Sequence, residues 1–233
     1  MNKGDIIVIN YTGKDLASGK VFDTTDEETA KKEEIHEERI RYRALPVIIG
    51  NKELLPALEE KVGELKEGEE KVIELTPEKA FGERKSELIR VVPLMEFQKR
   101  NMNPFPGMPV EMNELRGKVQ SVSGGRVRVD FNHELAGKKI EYKVKVEKIL
   151  SKKEEKVEAL VEKYFPVMDD KKIEFKGEEV EIIIPGKNSL AVSQVKPLLA
   201  KNVLDFVEGV KKIRFIDEFS KETEKNKSQE EEK

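Results

Sequence analysis

Few side chains in this sequence have the types that acid–base, nucleophilic or metal chemistry requires. There are two histidines, His36 and His133, and no cysteine. His133 stands in "DFNHELAGKK" between an asparagine and a glutamate. A catalytic histidine needs a nucleophile or co-ligands at fixed spacing, and no serine here sits in such a motif. A hydrogen-bonded corner is the expected role for His133. His36 lies beside Glu33 and Glu37; a solvated helix face explains that cluster, the alternative being a surface metal site. Without cysteine there are no disulfides, thiol nucleophiles or cysteine-ligated zinc. Neither a metal nor a cofactor is expected.

The elements that would carry any site are mostly short strands. "DIIVINYTG" reads as a first strand and "GKVFDTT" as a second, after a turn at Ala17-Ser18-Gly19. The charged run "DEETAKKEEIHEERIRY" offers only Ala30, Ile35 and Ile40 as an apolar face, which predicts a solvated helical insertion or flap. "RALPVIIG" is strand-like. Leu54, Leu58, Val62 and Leu65 fall at helical spacing, a short amphipathic helix to cap a sheet. "GEEKVIELTP" returns to alternation. Beyond Arg84 a short helix is expected in "PLMEFQKRN", with Pro93 in its first turn. "MPVEM", "GKVQSV" and "RVRVDF" are short strands, the last two joined by a Ser-Gly-Gly turn. "KIEYKVKVEKIL" puts Ile140, Tyr142, Val144 and Val146 on one face.

Lys152 to Glu155 reads as a charged linker to a further unit. That unit has an amphipathic helix, a hairpin around Lys176-Gly177, and a second helix marked by Val195, Leu199, Val203, Phe206 and Val210. "KKIRFIDEF" is its last strand, giving an α-β-β-α-β module. The tail 220–233 has no apolar residue and is expected to be disordered. Of the 233 residues 39% are charged, yet the formal net charge is only −3. A dedicated nucleic-acid binder would be strongly basic, so that class is disfavoured. The Lys/Glu excess fits a heat-adapted organism. No apolar run approaches membrane-spanning length, and a cytoplasmic, soluble protein is expected.

Tyr11, Val21-Phe22-Asp23, "ELLPALE" and "PEKAFG", in that order, resemble the FKBP-type peptidyl-prolyl cis-trans isomerases. "NHELAGKKIEYKVKV" resembles the SlyD-like branch more narrowly. There an insert-in-flap domain interrupts the barrel, and the chain re-enters through "NHxLAG" and a closing strand. Asn132, His133, Leu135, Ala136 and Gly137 then mark re-entry, so His133 marks topology. The resemblance covers about residues 1–150, and extra C-terminal modules occur in long archaeal members. It implies an α+β fold: an antiparallel half-barrel wrapped on a short helix, a small mainly-β insert, and the C-terminal module. The expected division is 1–83 plus 131–150 for the barrel, 84–130 for the insert, and 151–219 for the last module.

By the same resemblance the pocket is built from Tyr11, Phe22, Asp23, Leu54, Leu55, Leu58, Phe81 and Tyr142. Tyr142 stands where the closing strand usually has phenylalanine. Leu58 replaces the family's usual floor aromatic, a change that bears on substrate preference, and Ala57 stands where the family has glycine, a change that bears on backbone approach. Rotation about an X-Pro bond needs no nucleophile: a dry aromatic pocket should favour the less polar twisted amide over the planar one.

Residues 95–112 hold Met95, Met102, Met108 and Met112, with Phe97 and Phe105 among them. Flexible thioethers suit a surface that must fit many partners, or else fill a small insert's own core. The resemblance favours the first, with Val92 added, as a client-binding groove for unfolded or partly folded chains containing X-Pro bonds. The C-terminal module has no chemical motif; self-association as a homodimer is expected of it, a spacer or docking role being the alternative. A holdase using the barrel only as scaffold is the rival reading. Neither nucleic acid nor membrane is an expected partner.

Overall fold

Strand β1 (Ile6–Asp15) opens on four consecutive apolar residues, and both of its faces are covered. The computed structural model describes residues 1–166, 168 and 170–219. β1 pairs antiparallel with β2 (Val21–Thr24), with β3 (Leu45–Ile48) and, over its whole length, with β9 (Ile140–Leu150); β9 also pairs with β4 (Glu70–Leu75). Helix α2 (Pro56–Gly63) begins on a proline, whose missing N–H costs nothing at that position. It buries Leu58 and Val62 against Ile7, Ile9, Val47, Ile73, Tyr142 and Val144 on the inner face of the sheet. This is the expected half-barrel wrapped on a short helix.

The expected long helical flap is only one turn and a half. α1 (Glu27–Lys32) starts where the Asp26 carboxylate accepts from Thr29 N (2.7 Å) and stops before Glu34, whose φ is +59°. Ala30 is its one buried residue, too small an anchor to extend a helix through the charged run. Beyond it His36 stacks on Tyr42 (5.1 Å between centroids) and lies 3.5 Å from Glu27.

The insert is a four-stranded antiparallel sheet in the order β5 (Ile89–Pro93), β8 (Arg126–Asp130), β7 (Leu115–Ser123), β6 (Pro109–Met112). β5 is not among the expected strands, because Pro93 masks its end. That proline closes β5 and stands just before α3 (Leu94–Gln98), rather than in its first turn. Phe97, Val110, Val119, Val127, Val129 and Phe131 form the core of the insert.

The expected linker at Lys152–Glu155 is instead the start of α4 (Lys153–Tyr164); only Ser151 and Lys152 separate it from β9. After it come β10 (Lys172–Lys176), β11 (Glu179–Pro185), the short α5 (Ser189–Val192), α6 (Lys196–Phe206) and β12 (Lys212–Glu218). β10 and β11 form the expected hairpin, while β12 joins β11 in parallel. Val210 lies past the end of α6. The module packs on the barrel: Ile6, Ile48 and Leu150, from the outer face of the barrel sheet, share one buried cluster with Leu160, Val161, Leu199 and Val203. The apolar runs "DIIVIN" and "PVII" carry this signal, since strands buried on both faces lose their alternation. The expectation for 220–233 lies outside the described residues.

Candidate active site

Four rings converge at the open end of the barrel. Tyr11 on β1 sits opposite Val144 on β9, and Gly13, two residues on, sits opposite Tyr142. Period-two alternation therefore puts Tyr11 and Tyr142 on the same inner face, with centroids 6.0 Å apart and planes at 65°. Between Gly13 and Lys14 the register with β2 slips by one residue, and Phe22 is the extra residue. Such a bulge re-aims a side chain. The Phe22 ring lies edge-on to Tyr142 (5.7 Å, 89°) and to Phe81 (6.3 Å, 87°). Phe81 stacks face to face on His133, 4.5 Å away and within 3° of parallel. Nδ1 of His133 accepts from Leu135 N (3.2 Å), so this histidine is a corner residue that also backs the aromatic wall.

These contacts depend on Gly13. A Cβ there would lie 2.7 Å from Phe22 Cζ and 2.8 Å from Tyr142 Cε1, closer than side chains approach. No sequence motif marks this residue.

A cavity of about 360 Å³ opens inside the ring of aromatics. Tyr11, Asp23, Leu54, Leu55, Leu58, Phe81 and Tyr142 all line it, so seven of the eight expected pocket residues meet in one place. Phe22 does not; its ring backs Tyr142 and faces a second groove. Ile9, Leu45, Pro56, Val144 and the segment Lys52-Glu53 complete the lining and are not among the expected residues. Ile9 and Val144 follow from alternation, lying two residues from Tyr11 and Tyr142. The Tyr11 hydroxyl donates to Asp23 Oδ2 (2.9 Å) at the cavity edge. Burial, reinforced by the Asp23 carboxylate, raises the Tyr11 phenol above its ordinary pKa and pushes Tyr142 up to about 12. Both phenols are neutral at physiological pH.

The second groove, about 690 Å³, lies between the barrel mouth and the insert. It shares Asp23, Phe81 and Tyr142 with the first cavity and is closed from the other side by Pro109, Arg116 and Gly117. The two chain crossings into the insert are zipped together by Asn132, whose amide accepts from Lys85 N (2.8 Å) and donates to Lys85 O (2.9 Å). Beside it Arg84 pairs with Asp130. Burial opposes ionisation of Asp130, but hydrogen bonds from Asn132 and the charge of Arg84 hold its carboxyl below the usual range.

The expected client-binding residues divide. Met95 and Phe105 stand 62% and 60% exposed. Val92, Met102, Met108 and Met112 are half-buried against the core of the insert. Phe97 is 1% exposed and belongs to that core, which corrects its expected place on a client surface. It faces inward because a helix as short as α3 has only one anchor to bury.

Comparison with known proteins agrees with this layout. Residues 1–98 match the FKBP-type peptidyl-prolyl cis-trans isomerase family, residues 90–135 match "FKBP26, IF domain", and residues 153–220 match "FKBP26 C-terminal". The chain is similar to the short-type peptidyl-prolyl cis-trans isomerase of Methanocaldococcus jannaschii, 36% identical over 146 residues, which is 63% of this chain and 92% of that one. It is also similar to a probable FKBP-type 16 kDa isomerase of Pseudomonas fluorescens (33% over 103 residues, 42% of this chain and 67% of the relative). The isomerase SlyD of Helicobacter pylori is 29% identical over 117 residues, 48% of this chain and 63% of the relative. By fold, ring of aromatics and kinship alike, the chain belongs to the FKBP-type peptidyl-prolyl cis-trans isomerases.

Proposed function

We propose that X-Pro bonds are isomerised in the cavity bounded by Tyr11, Leu58, Phe81 and Tyr142, and that the insert holds unfolded segments beside it. Amide rotation faces a barrier of about 18–20 kcal/mol set by resonance. Twisting the bond breaks that resonance and lowers the amide dipole. Apolar walls with few polar groups therefore bind the twisted form better than the planar one, and only such a difference speeds the reaction. The observation that carries this reading is the aromatic-walled, mainly apolar cavity, whose polar lining is confined to Tyr11 with Asp23, the segment Lys52-Glu53 and the Tyr142 hydroxyl. With its proton engaged by Asp23, Tyr11 orients the peptide and transfers no proton.

In this reading residues 1–83 and 131–150 form the isomerase unit, 84–130 the client-binding unit, and 151–219 the third module. The exposed Met95 and Phe105, with the half-buried methionines and Val92, support capture of unfolded chains. The shared groove supports delivery of a held segment to the cavity. Exposed Leu190, Leu198, Leu204 and Ile216 on the C-terminal module support a homodimer. We read the location as cytoplasmic, on the cysteine-free composition.

The test is prolyl exchange in an Ala-Xaa-Pro-Phe peptide, followed by NMR with the intact chain, Asp23→Ala and Phe81→Ala. Turnover by the intact chain and its loss in Phe81→Ala is the expected result. An uncatalysed rate with the intact chain, alongside suppressed aggregation of an unfolded protein, would leave a holdase on an FKBP scaffold.

A further inference from the structure

The mouth of the cavity is tied to the C-terminal module by a half-buried ion pair, beside the more exposed pair of Arg43 with Glu162 of α4. Glu53, in the segment Lys52–Leu55 that lines the cavity, receives Lys163 Nζ on Oε2 at 2.6 Å. Lys163 belongs to α4, more than a hundred residues away in sequence. The same ammonium donates to Pro46 O (2.9 Å) on β3, next to the cavity residue Leu45. A single charge from the third module thus joins two walls of the mouth. Both side chains are only 16% exposed, so solvent screening leaves the pair largely intact.

Glu53 is held on its other sides as well. Ile48 N donates to Oε2 and Asn51 Nδ2 to Oε1, both at 3.0 Å. The neighbouring residue, Lys52, has φ +59°, a left-handed conformation that a side chain adopts only when its surroundings over-determine it. The lip is therefore a strained segment pinned through one carboxylate. Behind Lys163, Tyr164 is bonded to the buried Asn202 of α6, so α4 is itself anchored in the module's core.

We propose that Lys163 is a positioning residue of the isomerase site: through Glu53 it holds Lys52–Leu55 in place, and the C-terminal module thereby sets the shape of the proline cavity. This rests on the reading of that cavity as the place of isomerisation. Removing the ammonium leaves a largely buried carboxylate unpaired, which is costly. The cheapest relief turns Glu53 toward water and takes Leu54 and Leu55 with it. The loss falls on substrate fit, because no group that touches the amide is removed.

The experiment uses the full chain and the Ala-Xaa-Pro-Phe peptide. Lys163→Met keeps the alkyl stem and removes the charge; Glu53→Gln attacks the other end; Lys163→Arg restores a cation. Lys148→Met, which breaks the 3.0 Å pair with Glu155 elsewhere on α4, controls for a general loosening of the module. In Lys163→Met, kcat/KM should fall about ten-fold, mainly through KM, as a displaced binding wall requires. The Leu54 and Leu55 amide resonances should shift. Glu53→Gln should do the same, the double variant should lose little more than either single one, Lys163→Arg should recover most of the activity, and Lys148→Met should match the unchanged chain. If the intact chain turns the peptide over and Lys163→Met matches it in KM and amide shifts, the clamp is overturned while the isomerase reading stands. Equal losses in Lys163→Met and Lys148→Met also overturn it, in favour of a merely structural role. No turnover by the intact chain overturns the reading beneath it, and the clamp's catalytic role with it.

Discussion

The cavity and the insert both present apolar side chains, yet they are built in opposite ways. At the cavity Tyr11, Phe22, Phe81 and Tyr142 meet edge to face, and a glycine lets two of the rings close on each other. Each ring is fixed by its neighbours. On the insert, Met95 and Phe105 project into solvent, while Met102, Met108 and Met112 lean on a small core around Phe97. Thioether side chains with three rotatable bonds adapt to whatever covers them. A site that must favour a twisted amide over a planar one needs fixed walls, and a surface that meets many chains needs movable ones. In the proposed reading the chain holds both, joined by a groove that shares Asp23, Phe81 and Tyr142 with the cavity.

The largest break of this contrast is expected inside the insert. Phe97→Ala should cost about 3–5 kcal/mol of the insert's stability, the usual loss for a buried phenylalanine. Denaturant titration read on insert resonances checks this. Met95→Ala and Phe105→Ala should stay within about 0.5 kcal/mol of the parent, as exposed positions do, while weakening the capture of an unfolded protein. A Phe97→Ala chain as stable as those two would mean that the insert has no core to distinguish from its surface.

Gly13→Ala comes next. Its methyl would sit under 3 Å from both Phe22 and Tyr142, so one ring must move. Displacing a wall of the site by such an amount should lower kcat/KM on the peptide about 100-fold, with β1 and β9 still paired. Retained turnover would show that the ring geometry is dispensable and the cavity as adaptable as the insert.

A third, smaller effect separates the two regions directly. With residues 84–130 replaced by a short loop, proline-limited refolding of a protein substrate should slow about ten-fold, since a held client raises the local concentration of its prolines. Turnover of the short peptide should change by less than about three-fold, as no insert residue lines the smaller cavity. Equal losses on both substrates would make the 690 Å³ groove part of the catalytic site itself.

How far all this could be read from the sequence follows from what kind of signal each residue leaves. Alternation in "KIEYKVKV" put Tyr142 on the inner face, and ordered motifs brought together seven residues that do line one cavity. Gly13 left no mark, because its reason is a contact between two side chains distant in sequence. Lys163 was equally silent, one lysine among many on an amphipathic helix. The contact of the C-terminal module with the barrel was written in "DIIVIN", whose unbroken apolar run signals two covered faces. The methionines around Phe97 imply a surface, whereas only burial distinguishes a core ring from an exposed one.

The smallest effect concerns whether the cavity wall is dry. Burial first, and then the charge of Asp23, pushes the Tyr142 phenol up to about 12 from its ordinary 10.0. In the unfolded chain the same phenol ionises near its ordinary value of about 10. Between these values the unfolded state carries fewer protons than the folded one, so stability falls as pH rises. The contribution is whole below about pH 10 and lost by about pH 12. Tyr142→Phe has no proton to lose, so its stability should fall less steeply across that interval when both chains are unfolded in urea. Lysines that titrate there act on both chains alike and drop out of the difference. Tyr11 adds an effect of the same sign, also present in both. Equal slopes would mean that water reaches Tyr142, and a wetted wall has no preference for a twisted amide over a planar one. The fixed rings would then owe their order to packing alone, and the contrast with the insert would be one of stiffness without chemistry.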